Sequence, residues 1–401
     1  MIMSRDDYFK YAEQGALSET EPYLADMPDY YSLVQQFDGV LDAVRYKGKL
    51  YSYPSIQEMA GEMNSTHSGG IVARRDVMDD LGITAPKTIE DYYEMWKKVM
   101  EETDYIPFGT AGDNFSAIKA AFRVALSYKE VGDELEFIWV QPEYKEYLTF
   151  MNKLYSEELL DKEYITTTGV NLTEKFMGDK LFSSNQGWAY ACVGIRDIGE
   201  KISGAVMEYL PQPSGPDDSK SLLYFTWPVQ KIWVVPEAAK NKEAAAKFMN
   251  YMATPESKMT QDYGIEGEDY TLGSDGKPVY TQEQQMAVTW RIVYEIMDTP
   301  ASFKIRLVGK GYDWAYNQAL EGQKASDFTT DLISIMPPND EYQKTQQKLA
   351  LQTYVDEQVT RFIMGDRSID EFDKFVTELK DKGLDEQTDA LNVWHNEFKQ
   401  N

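Results

Sequence analysis

Helix-type and strand-type hydrophobic patterns alternate along the 401 residues of this chain, and this alternation constrains the fold more than any single motif does. Apolar residues recur at the helical period after four start signals, which are Thr88, Pro142, Asn241 and Ser368. Short apolar runs bounded by glycine or proline predict buried parallel strands at residues 50–53, 71–73, 188–193 and 231–235. The sequence therefore predicts an α/β fold, and its length predicts two or three separate cores.

Single residues mark where several of these elements begin and end. Thr88 is expected to cap a helix whose third residue, Asp91, suits the positive end of the helix dipole. Ser368 with Glu371 forms a capping box before another amphipathic segment. Pro54 is expected to end the first of the four strands, because proline cannot donate a backbone hydrogen bond.

Charge and composition exclude several classes of function. The chain has 67 Asp and Glu against 40 Lys and Arg, a net charge of −27, so nucleic acids and anionic lipid surfaces would repel it. One cysteine and two histidines rule out an internal disulfide and disfavour zinc and imidazole chemistry. The motifs of nucleotide hydrolases, dinucleotide enzymes and serine esterases do not occur. We therefore expect no cofactor and no metal. Carboxylate pairs for glycoside hydrolysis stay open, because so many acidic side chains form chance pairs.

Aromatic residues give the positive signal. Several stand beside turns at the ends of predicted strands, namely Tyr53, Trp188, Tyr190, Tyr224, Trp227 and Tyr263. A flat ring with a polar tip suits a ligand that is apolar on its faces and hydroxylated at its edges, as a sugar ring is. Any one of these rings could equally belong to a core, so only their joint placement indicates carbohydrate binding.

Four polar residues are further candidates, each with a structural alternative. Arg74 follows a short strand and could clamp a ligand, or it could form a surface ion pair with Asp76 or Asp79. Asn114 stands before a helix, where asparagine is most often a cap. Glu58 and Glu266 lie in predicted loops and could be solvated or face a ligand.

The order of several segments resembles the family 1 extracellular solute-binding proteins, the ligand-capturing subunits of bacterial ABC importers. The similarity is strongest to the large lipoprotein-type branch linked to oligosaccharide uptake. It runs over nearly the whole chain and rests on these blocks: GKLYSYP at 48–54, IVARRDVMDDLGITAPKTIEDYYEMW at 71–96, IPFGTAG at 106–112, EKFMGDKLFSSNQGWAYACVG at 174–194, KNKEAAAKFMNYMATPE at 240–256, YGIEGEDYT at 263–271 and FIMGDRSIDEFDKFVTELKDKGLDE at 362–386.

The resemblance implies a two-lobed periplasmic-binding-protein-like type II fold, with hinge-linked lobes and a ligand cleft between them. By block position, lobe one comprises residues 1–106 and 228–285, and lobe two comprises residues 107–227 and 286–401. The ligand contacts that this implies, together with Asn114, are Tyr53, Glu58, Arg74, Trp188, Tyr190, Trp227, Tyr263 and Glu266. The lobes are expected to close on the ligand by a hinge motion.

The implied function is non-enzymatic. The protein would capture a carbohydrate, most simply an oligosaccharide, and deliver it as a monomer to the permease subunits of an ABC importer. Met1 stands where the family's second strand begins, so a signal segment and about one βα unit are expected to be missing, and the full-length form is expected to be a lipoprotein on the extracellular face of the cytoplasmic membrane. Alternatives are a carbohydrate-active enzyme that uses a carboxylate pair, a binding protein for a peptide or other solute, or a sensor docking to a membrane kinase.

Overall fold

The computed structural model describes residues 1–35, 40–57, 69–187, 198–210, 212–225, 229–274, 278–279, 281, 297–298, 317–318, 321–322, 324–335 and 340–400. The chain divides into two compact units. Unit 1 comprises Met1–Ser65, Thr226–Asp313 and Thr330–Pro338. Unit 2 comprises Thr66–Phe225, Trp314–Thr329 and Asn339–Asn401.

The secondary structure alternates between helices and strands, as the sequence predicts. The α-helices are α1 (Arg5–Glu13), α2 (Pro28–Val34), α3 (Arg75–Asp80), α4 (Ile89–Glu102), α5 (Ser116–Ala121), α6 (Pro142–Ser156), α7 (Gly169–Met177), α8 (Ile198–Lys201), α9 (Lys242–Met252), α10 (Pro255–Tyr263), α11 (Leu332–Ile335), α12 (Asp340–Leu349), α13 (Leu351–Met364), α14 (Phe372–Asp381) and α15 (Leu384–Gln400). The strands are β1 (Ile2–Met3), β2 (Arg45–Tyr46), β3 (Lys49–Leu50), β4 (Ser52–Gln57), β5 (Gly69–Arg74), β6 (Ile106–Gly109), β7 (Tyr128–Val131), β8 (Glu134–Phe137), β9 (Leu181–Gly187), β10 (Met207–Leu210), β11 (Leu222–Phe225), β12 (Val229–Val234), β13 (Thr271–Leu272), β14 (Pro278–Val279), β15 (Met297–Asp298) and β16 (Asp327–Thr330). Short 3-10 turns lie at Glu21–Asp26, Asp42–Val44, Ile138–Val140, Tyr164–Thr166, Pro216–Asp218 and Ile369–Glu371.

Unit 1 is built on a four-stranded sheet in the order β1-β12-β4-β15. β12 pairs antiparallel with β1 and β4, and β15 pairs parallel with β4. Helices α1, α2 and α9 contribute to its core, which includes the buried rings of Tyr8, Tyr30 and Tyr53. The hydroxyl of Tyr30 donates to the carbonyl oxygen of Pro54 at 2.8 Å, so the helix layer is bonded to the sheet as well as packed on it.

Unit 2 contains a second four-stranded sheet, in the order β10-β5-β9-β6. β5 pairs antiparallel with both β10 and β9, and β6 pairs parallel with β9. Helix α4 packs on this sheet through Trp96, whose ring stacks on Phe108 with centroids 4.6 Å apart. The indole nitrogen of Trp96 also donates to the hydroxyl of Ser183 at 2.8 Å. These contacts fix α4 against β6 and β9, at one side of the sheet.

Three predicted helix starts are confirmed. Thr88 accepts from the backbone N–H of Asp91, and the Asp91 carboxylate accepts from the backbone of Thr88, which completes a capping box at the start of α4. α6 begins at Pro142. The Asn241 side chain accepts from the backbone N–H of Ala244 and caps α9.

Other local predictions were wrong. Pro54 lies inside β4 rather than after it, and in the part of the chain that the structure describes, β15 pairs with Ile56 and Gln57 of that strand and not with Pro54. The strands at 71–73 and 231–235 were expected in parallel pairing, yet β5 and β12 are antiparallel to the partners on both sides. The predicted strand at 188–193 lies outside the described residues.

The predicted capping box at Ser368 also differs from the structure. Ser368 accepts from the backbone N–H of Asp370 and opens a 3-10 turn, and α14 starts only at Phe372. The Glu371 carboxylate lies 3.2 Å from the ammonium of Lys374 instead of bonding back to the cap. Ion pairing on the surface has therefore replaced the reciprocal cap.

The division into units differs from the expected lobes at residues 66–106, which were expected in lobe one and belong to unit 2. It also differs at residues 286–313 and 330–338, which were expected in lobe two and belong to unit 1. For residues 66–106 the cause is strand pairing, because β5 lies between β10 and β9, and α4 packs against β6 of the same sheet. Among the described residues, no helix is long and apolar enough to cross a membrane.

Candidate functional site

Four strand ends meet at one edge of the unit 2 sheet. Register places the first residues of β5 opposite the last residues of β9, and the ends of β6 and β10 lie beside them. In open α/β sheets, ligands bind outside the carboxyl ends of the strands. Four side chains gather at this edge, and we call them the polar edge: Asn114, Ser116, Asn185 and Gln212.

Asn185 is the centre of the polar edge. It is 1% exposed, and the residue before it, Ser184, is fully buried as well. Its side-chain oxygen accepts from the backbone N–H of Ala117 at 2.8 Å. Its nitrogen donates to the hydroxyl of Ser116 at 2.8 Å and to the side-chain oxygen of Asn114 at 3.3 Å. Because α5 has no side-chain cap of its own, Asn185 anchors the start of that helix to the sheet.

Gln212 holds the same helix from the other direction. Its side-chain nitrogen donates to the carbonyl oxygen of Ala117 at 2.6 Å. Its side-chain oxygen is buried and has no hydrogen-bond partner among the described residues. A buried acceptor without a donor is costly, so this oxygen is a local cost in free energy at the polar edge.

A tyrosine ring closes against the backbone at this edge. A side chain on Gly70 would place its Cβ 2.3 Å from the ring of Tyr209, so only glycine fits there. Tyr209 is 2% exposed and lies on β10, the strand next to β5. The close approach fixes the Tyr209 ring over the start of β5.

The polar edge can hydrogen-bond a ligand but has no group suited to proton transfer. Its four side chains are amides and a hydroxyl, which donate and accept without changing charge. Such groups recognise polyhydroxylated or amide-bearing ligands by geometry. The arrangement therefore favours binding over catalysis.

Of the sequence-predicted contacts, Asn114 lies at the polar edge. Its side chain is exposed and accepts from Asn185, so the structure brings it together with three residues that the sequence analysis missed. The sequence shows Ser183, Ser184 and Asn185 only as a short polar run, and the structure shows that all three are buried in β9. A buried polar run requires specific partners, and those partners are distant in sequence.

Arg74 is not part of the polar edge. It is three residues from Ile71, the partner of Asn185 across the sheet, so it lies about 10 Å further along β5 and on the opposite face. Its guanidinium, 2% exposed as a residue, binds the carboxylates of Asp76 at 2.6 Å and Asp179 at 2.5 Å. The pair with Asp76 matches the structural alternative given for this residue, but Arg74 is buried rather than on the surface, and Asp179 was not a predicted partner.

The ion pair of Arg74 is part of a small network at that end of the sheet. The Tyr105 hydroxyl donates to Asp179 at 2.5 Å, and the Arg74 guanidinium lies 5.5 Å from the centre of the Tyr105 ring. The hydrogen bonds from Tyr105 and Arg74 hold the pKa of Asp179 below its ordinary value. Asp179 therefore stays ionised and keeps Arg74 paired.

Tyr53 and Glu266 lie in unit 1. Tyr53 is 1% exposed in the core, where its ring meets Tyr30 edge to face at 5.7 Å, and burial raises its pKa. Its ring therefore has no face open to a ligand in this structure. Glu266 is exposed in the turn after α10. Tyr263 is the last residue of α10, and its side chain lies outside the described set, as do the residues Glu58, Trp188, Tyr190 and Trp227.

Comparison with known proteins adds independent findings. The model of a family described as bacterial extracellular solute-binding protein matches residues 1–259. The polygalacturonan/rhamnogalacturonan-binding protein YtcQ of Bacillus subtilis is 22% identical over 395 residues, which cover 92% of this chain and 74% of YtcQ. Lipoprotein LipO of the same species is 21% identical over 417 residues, which cover 96% of this chain and 76% of LipO.

Solved structures share the fold. The substrate-binding protein FusA of S. pneumoniae, an ABC-transporter component solved in complex with kestose, superposes with a TM-score of 0.75 and 18% identity. The match covers 99% of this chain and 87% of FusA. The predicted two-lobed α/β fold of the periplasmic-binding-protein type is thereby confirmed.

Proposed function

Because the chain belongs to the bacterial extracellular solute-binding protein family, we propose that it captures an oligosaccharide outside the cytoplasmic membrane and delivers it to the permease of an ABC importer. Members of this family are binding components of transporters rather than enzymes. The names of two relatives support a carbohydrate ligand, since YtcQ is named for polygalacturonan and rhamnogalacturonan and FusA was solved with kestose.

The observation that carries the proposal is the polar edge of unit 2. Sugar hydroxyls need partners that both donate and accept, and an amide side chain offers both. Asn114 is exposed, and its side-chain oxygen accepts from the amide of Asn185. This bond holds Asn114 in place, so a ligand would meet a group that is already oriented.

The pKa shifts of the carboxyl groups support ligand binding rather than glycoside hydrolysis. A general acid in a glycosidase needs a carboxyl whose pKa is raised. In the part of the chain that the structure describes, every carboxyl group whose pKa departs clearly from its ordinary value departs downward: Glu21, Asp76, Asp91, Glu143, Asp179, Glu237, Glu243 and Glu378. These groups are held ionised by hydrogen bonds and basic neighbours, which suits structure rather than proton donation.

The remaining sequence-predicted contacts stay part of the proposal. Trp188 and Tyr190 follow Gly187, the last residue of β9, along the chain, and Trp227 precedes β12. An aromatic ring that stacks on a sugar contributes strongly to affinity, so we expect Trp188→Ala and Trp227→Ala each to weaken binding by about tenfold. If the dissociation constants of both variants were unchanged, neither Trp188 nor Trp227 would be a ligand contact.

The test of the function is a ligand panel. Fragments of rhamnogalacturonan, polygalacturonan, fructan and chitin are added to the whole chain, and melting temperature and tryptophan fluorescence are recorded. A ligand at about 100 times its dissociation constant should stabilise the fold by about 2.7 kcal/mol. Asn114→Ala should weaken the response, and Asn396→Ala, exposed on α15, should not.

Two outcomes would contradict the proposal. No saturable response to any oligosaccharide, with a peptide panel giving one instead, would point to a different solute. Shorter products after long incubation with an oligosaccharide, detected by chromatography, would show hydrolysis. The proposed delivery step is checked separately, by asking whether the permease of the same importer retains the protein in detergent.

We also propose that the native protein is a monomer anchored to the membrane by a lipid, for which the lipoprotein LipO is the supporting relative. Partition of the full-length protein into the detergent phase of Triton X-114 would bear this out. Sedimentation at twice the mass of one chain would contradict the monomer.

A further inference from the structure

Asn114 lies in a turn, residues 110–115, that joins the end of β6 to the start of α5. Its side-chain oxygen accepts from Asn185 at 3.3 Å, and this bond orients the side chain. The backbone of the turn needs restraints of its own, because fixing each residue costs conformational entropy. The position of Asn114 therefore depends on the contacts that its neighbours in the turn make.

Residues 161–167, which we call the supporting segment, hold the backbone of this turn. The backbone N–H of Gly112 donates to the carbonyl oxygen of Tyr164 at 3.0 Å and to that of Thr167 at 3.1 Å. Gly112 has a φ of +63°, which glycine adopts without strain. The chain is therefore tied to the supporting segment two residues before Asn114.

The same segment packs against the residue that follows Asn114. The ring centroids of Tyr164 and Phe115 are 5.4 Å apart, and both residues are buried. Aromatic pairs at such a distance contribute more than their buried area alone. Gly112 and Phe115, on either side of Asn114, are therefore both held by the supporting segment.

Lys175 on α7 binds the supporting segment through three of its side chains. The Lys175 ammonium donates to the carboxylate of Asp161 at 2.6 Å, to that of Glu163 at 3.0 Å and to the Thr167 hydroxyl at 3.4 Å. A lysine ammonium has three protons, so these acceptors use all of them. The acceptors run from the first residue of the supporting segment to its last, so one cation links its two ends.

The pair of Lys175 with Asp161 is largely shielded from water, since the two side chains are 16% and 4% exposed. Burial lowers the pKa of Lys175, but its hydrogen bonds to Asp161 and Glu163 outweigh burial, so the pKa lies above its ordinary value. The ammonium therefore stays charged at neutral pH. α7 is fixed in turn by a capping box of Thr168 and Asn171. Removing one partner of a buried ion pair is strongly destabilising, so the loss of Lys175 should loosen the supporting segment.

We propose that Lys175 is a positioning residue of the binding site: by holding the supporting segment, it sets the turn that presents Asn114 to the ligand. Lys175 acts through the segment and not by contact with the ligand. The role of Asn114 as a ligand contact rests on the proposed function. The positioning of the turn does not, and it can be measured without a ligand.

The first measurement is hydrogen exchange in the whole chain, resolved to single backbone amides by mass spectrometry. Lys175→Gln removes the charge and keeps much of the stem. We expect the amide of Gly112 to exchange about tenfold faster, because hydrogen bonds to charged groups are the strong ones and exchange follows local opening. The amide of Val72, buried in the unit 2 sheet, should stay within about twofold. The matched control is Lys180→Gln, exposed between α7 and β9, which should change neither amide.

A second variant, Asp161→Asn, covers the case in which Lys175→Gln does not fold. It keeps the size of the side chain and the acceptor for the backbone N–H of Glu163, and it removes the charge that Lys175 binds. The Gly112 amide should again exchange faster than in the parent protein, although by less, because Glu163 still binds Lys175. If the Gly112 amide exchanged no faster in either variant, or no more than that of Val72, the proposal would be wrong.

The second measurement is ligand affinity, with kestose and a rhamnogalacturonan fragment as probes in calorimetry. Lys175→Gln should weaken the binding of a probe that the parent protein binds by about threefold or more, and Lys180→Gln should not. If Asn114→Ala weakened binding while Lys175→Gln left it unchanged, Asn114 would need no positioning, and the proposal would be overturned. If no oligosaccharide bound the parent protein, the proposed function would fail, and the exchange of the Gly112 amide would still decide whether Lys175 sets the turn.

Discussion

Arg74 shows how a single residue can suggest a ligand clamp in sequence and form a structural ion pair in the fold. It is buried and pairs with Asp76 and Asp179, on the face of the sheet away from Asn185. Lysine keeps the charge but loses the fork that reaches two carboxylates. We expect Arg74→Lys to lower the free energy of unfolding by about 1–3 kcal/mol and to leave ligand affinity within about twofold.

The control for Arg74 is its neighbour. Arg75 pairs with Asp79 and Glu208 and is partly exposed, so Arg75→Lys should lower the free energy of unfolding by less than about 1 kcal/mol. Urea unfolding and calorimetry measure the two quantities. If Arg74→Lys kept the stability of the parent protein but lost ligand binding, Arg74 would be a ligand contact and its structural role would be wrong.

Asn185 carries the second prediction at the scale of one residue. Asn185→Ala removes a buried amide and leaves the backbone N–H of Ala117 without its acceptor, so we expect the free energy of unfolding to fall by about 1–3 kcal/mol. Asn185→Asp retains an acceptor for Ala117 but not the donor to Ser116. Its free energy of unfolding should lie between those of the parent protein and of Asn185→Ala. If Asn185→Ala cost no more than the exposed Asn396→Ala in urea unfolding, the anchoring role of Asn185 would be wrong.

Residue-scale prediction from sequence succeeded where the chemistry was local. The Thr88 cap and the ion pair of Arg74 with Asp76 both involve residues within three positions of each other. The polar edge instead joins Asn185 to Ala117, 68 residues away, and no local pattern encodes that distance. Tyr53 shows the same limit, because the sequence around a tyrosine beside a turn is the same whether its ring packs in a core or contacts a ligand.

At the scale of elements, the capping box of α4 makes a testable contribution. Thr88→Ala removes the side-chain acceptor for Asp91 while the helix keeps its packing face against the sheet. Loss of an N-cap costs about 1 kcal/mol, and urea unfolding should show that decrease. Glu94→Ala, exposed in the middle of the same helix, is the control and should stay within about 0.5 kcal/mol of the parent protein. Equal effects of the two changes would mean that the box contributes nothing measurable.

Element types were more predictable than strand partners. Apolar runs located β5 and β12, since a buried strand needs such a run whichever way it pairs. Their antiparallel pairing depends on β4, β9 and β10, which are distant in sequence. No local pattern could therefore show that the predicted parallel pairing was wrong. Pro54 was misjudged for the same reason, because only the partner strand shows whether a missing N–H is needed.

At the scale of the whole molecule, the family resemblance predicted the fold class, and strand pairing decided the division into units. Residues 66–106 join unit 2 because β5 pairs with β9, more than 100 positions away. Each unit is assembled from separated segments, because strands that are distant in sequence pair within one sheet. The order of the family-like blocks along the chain does not show which strands pair. The expected end of the first part of lobe one therefore lies about 40 residues after the end of the first segment of unit 1.

The response of the chain to mild acid tests how tightly unit 2 packs around its buried histidine. His395 on α15 is 2% exposed, and its Nδ1 has no partner among the described residues. Burial, with a smaller effect from Lys399 against an opposing one from Glu130, lowers its pKa below the ordinary value. The unfolded chain therefore takes up a proton near pH 6.5, before the folded protein does. The free energy of unfolding is fully retained above that pH and falls as the pH drops toward the lower folded-state pKa.

Each pH unit by which the pKa of His395 in the folded protein lies below that in the unfolded chain lowers the free energy of unfolding in acid by about 1.4 kcal/mol. The paired carboxylates lower it further only at more acidic pH. Urea midpoints at pH 7.5 and 5.5 should therefore differ in the parent protein and converge in His395→Gln, which cannot take up the proton. His67→Gln is the control, because the chain has only these two histidines and His67 lies outside the described residues. If His67→Gln abolished the pH dependence and His395→Gln preserved it, the packing of α15 around a neutral imidazole would be wrong.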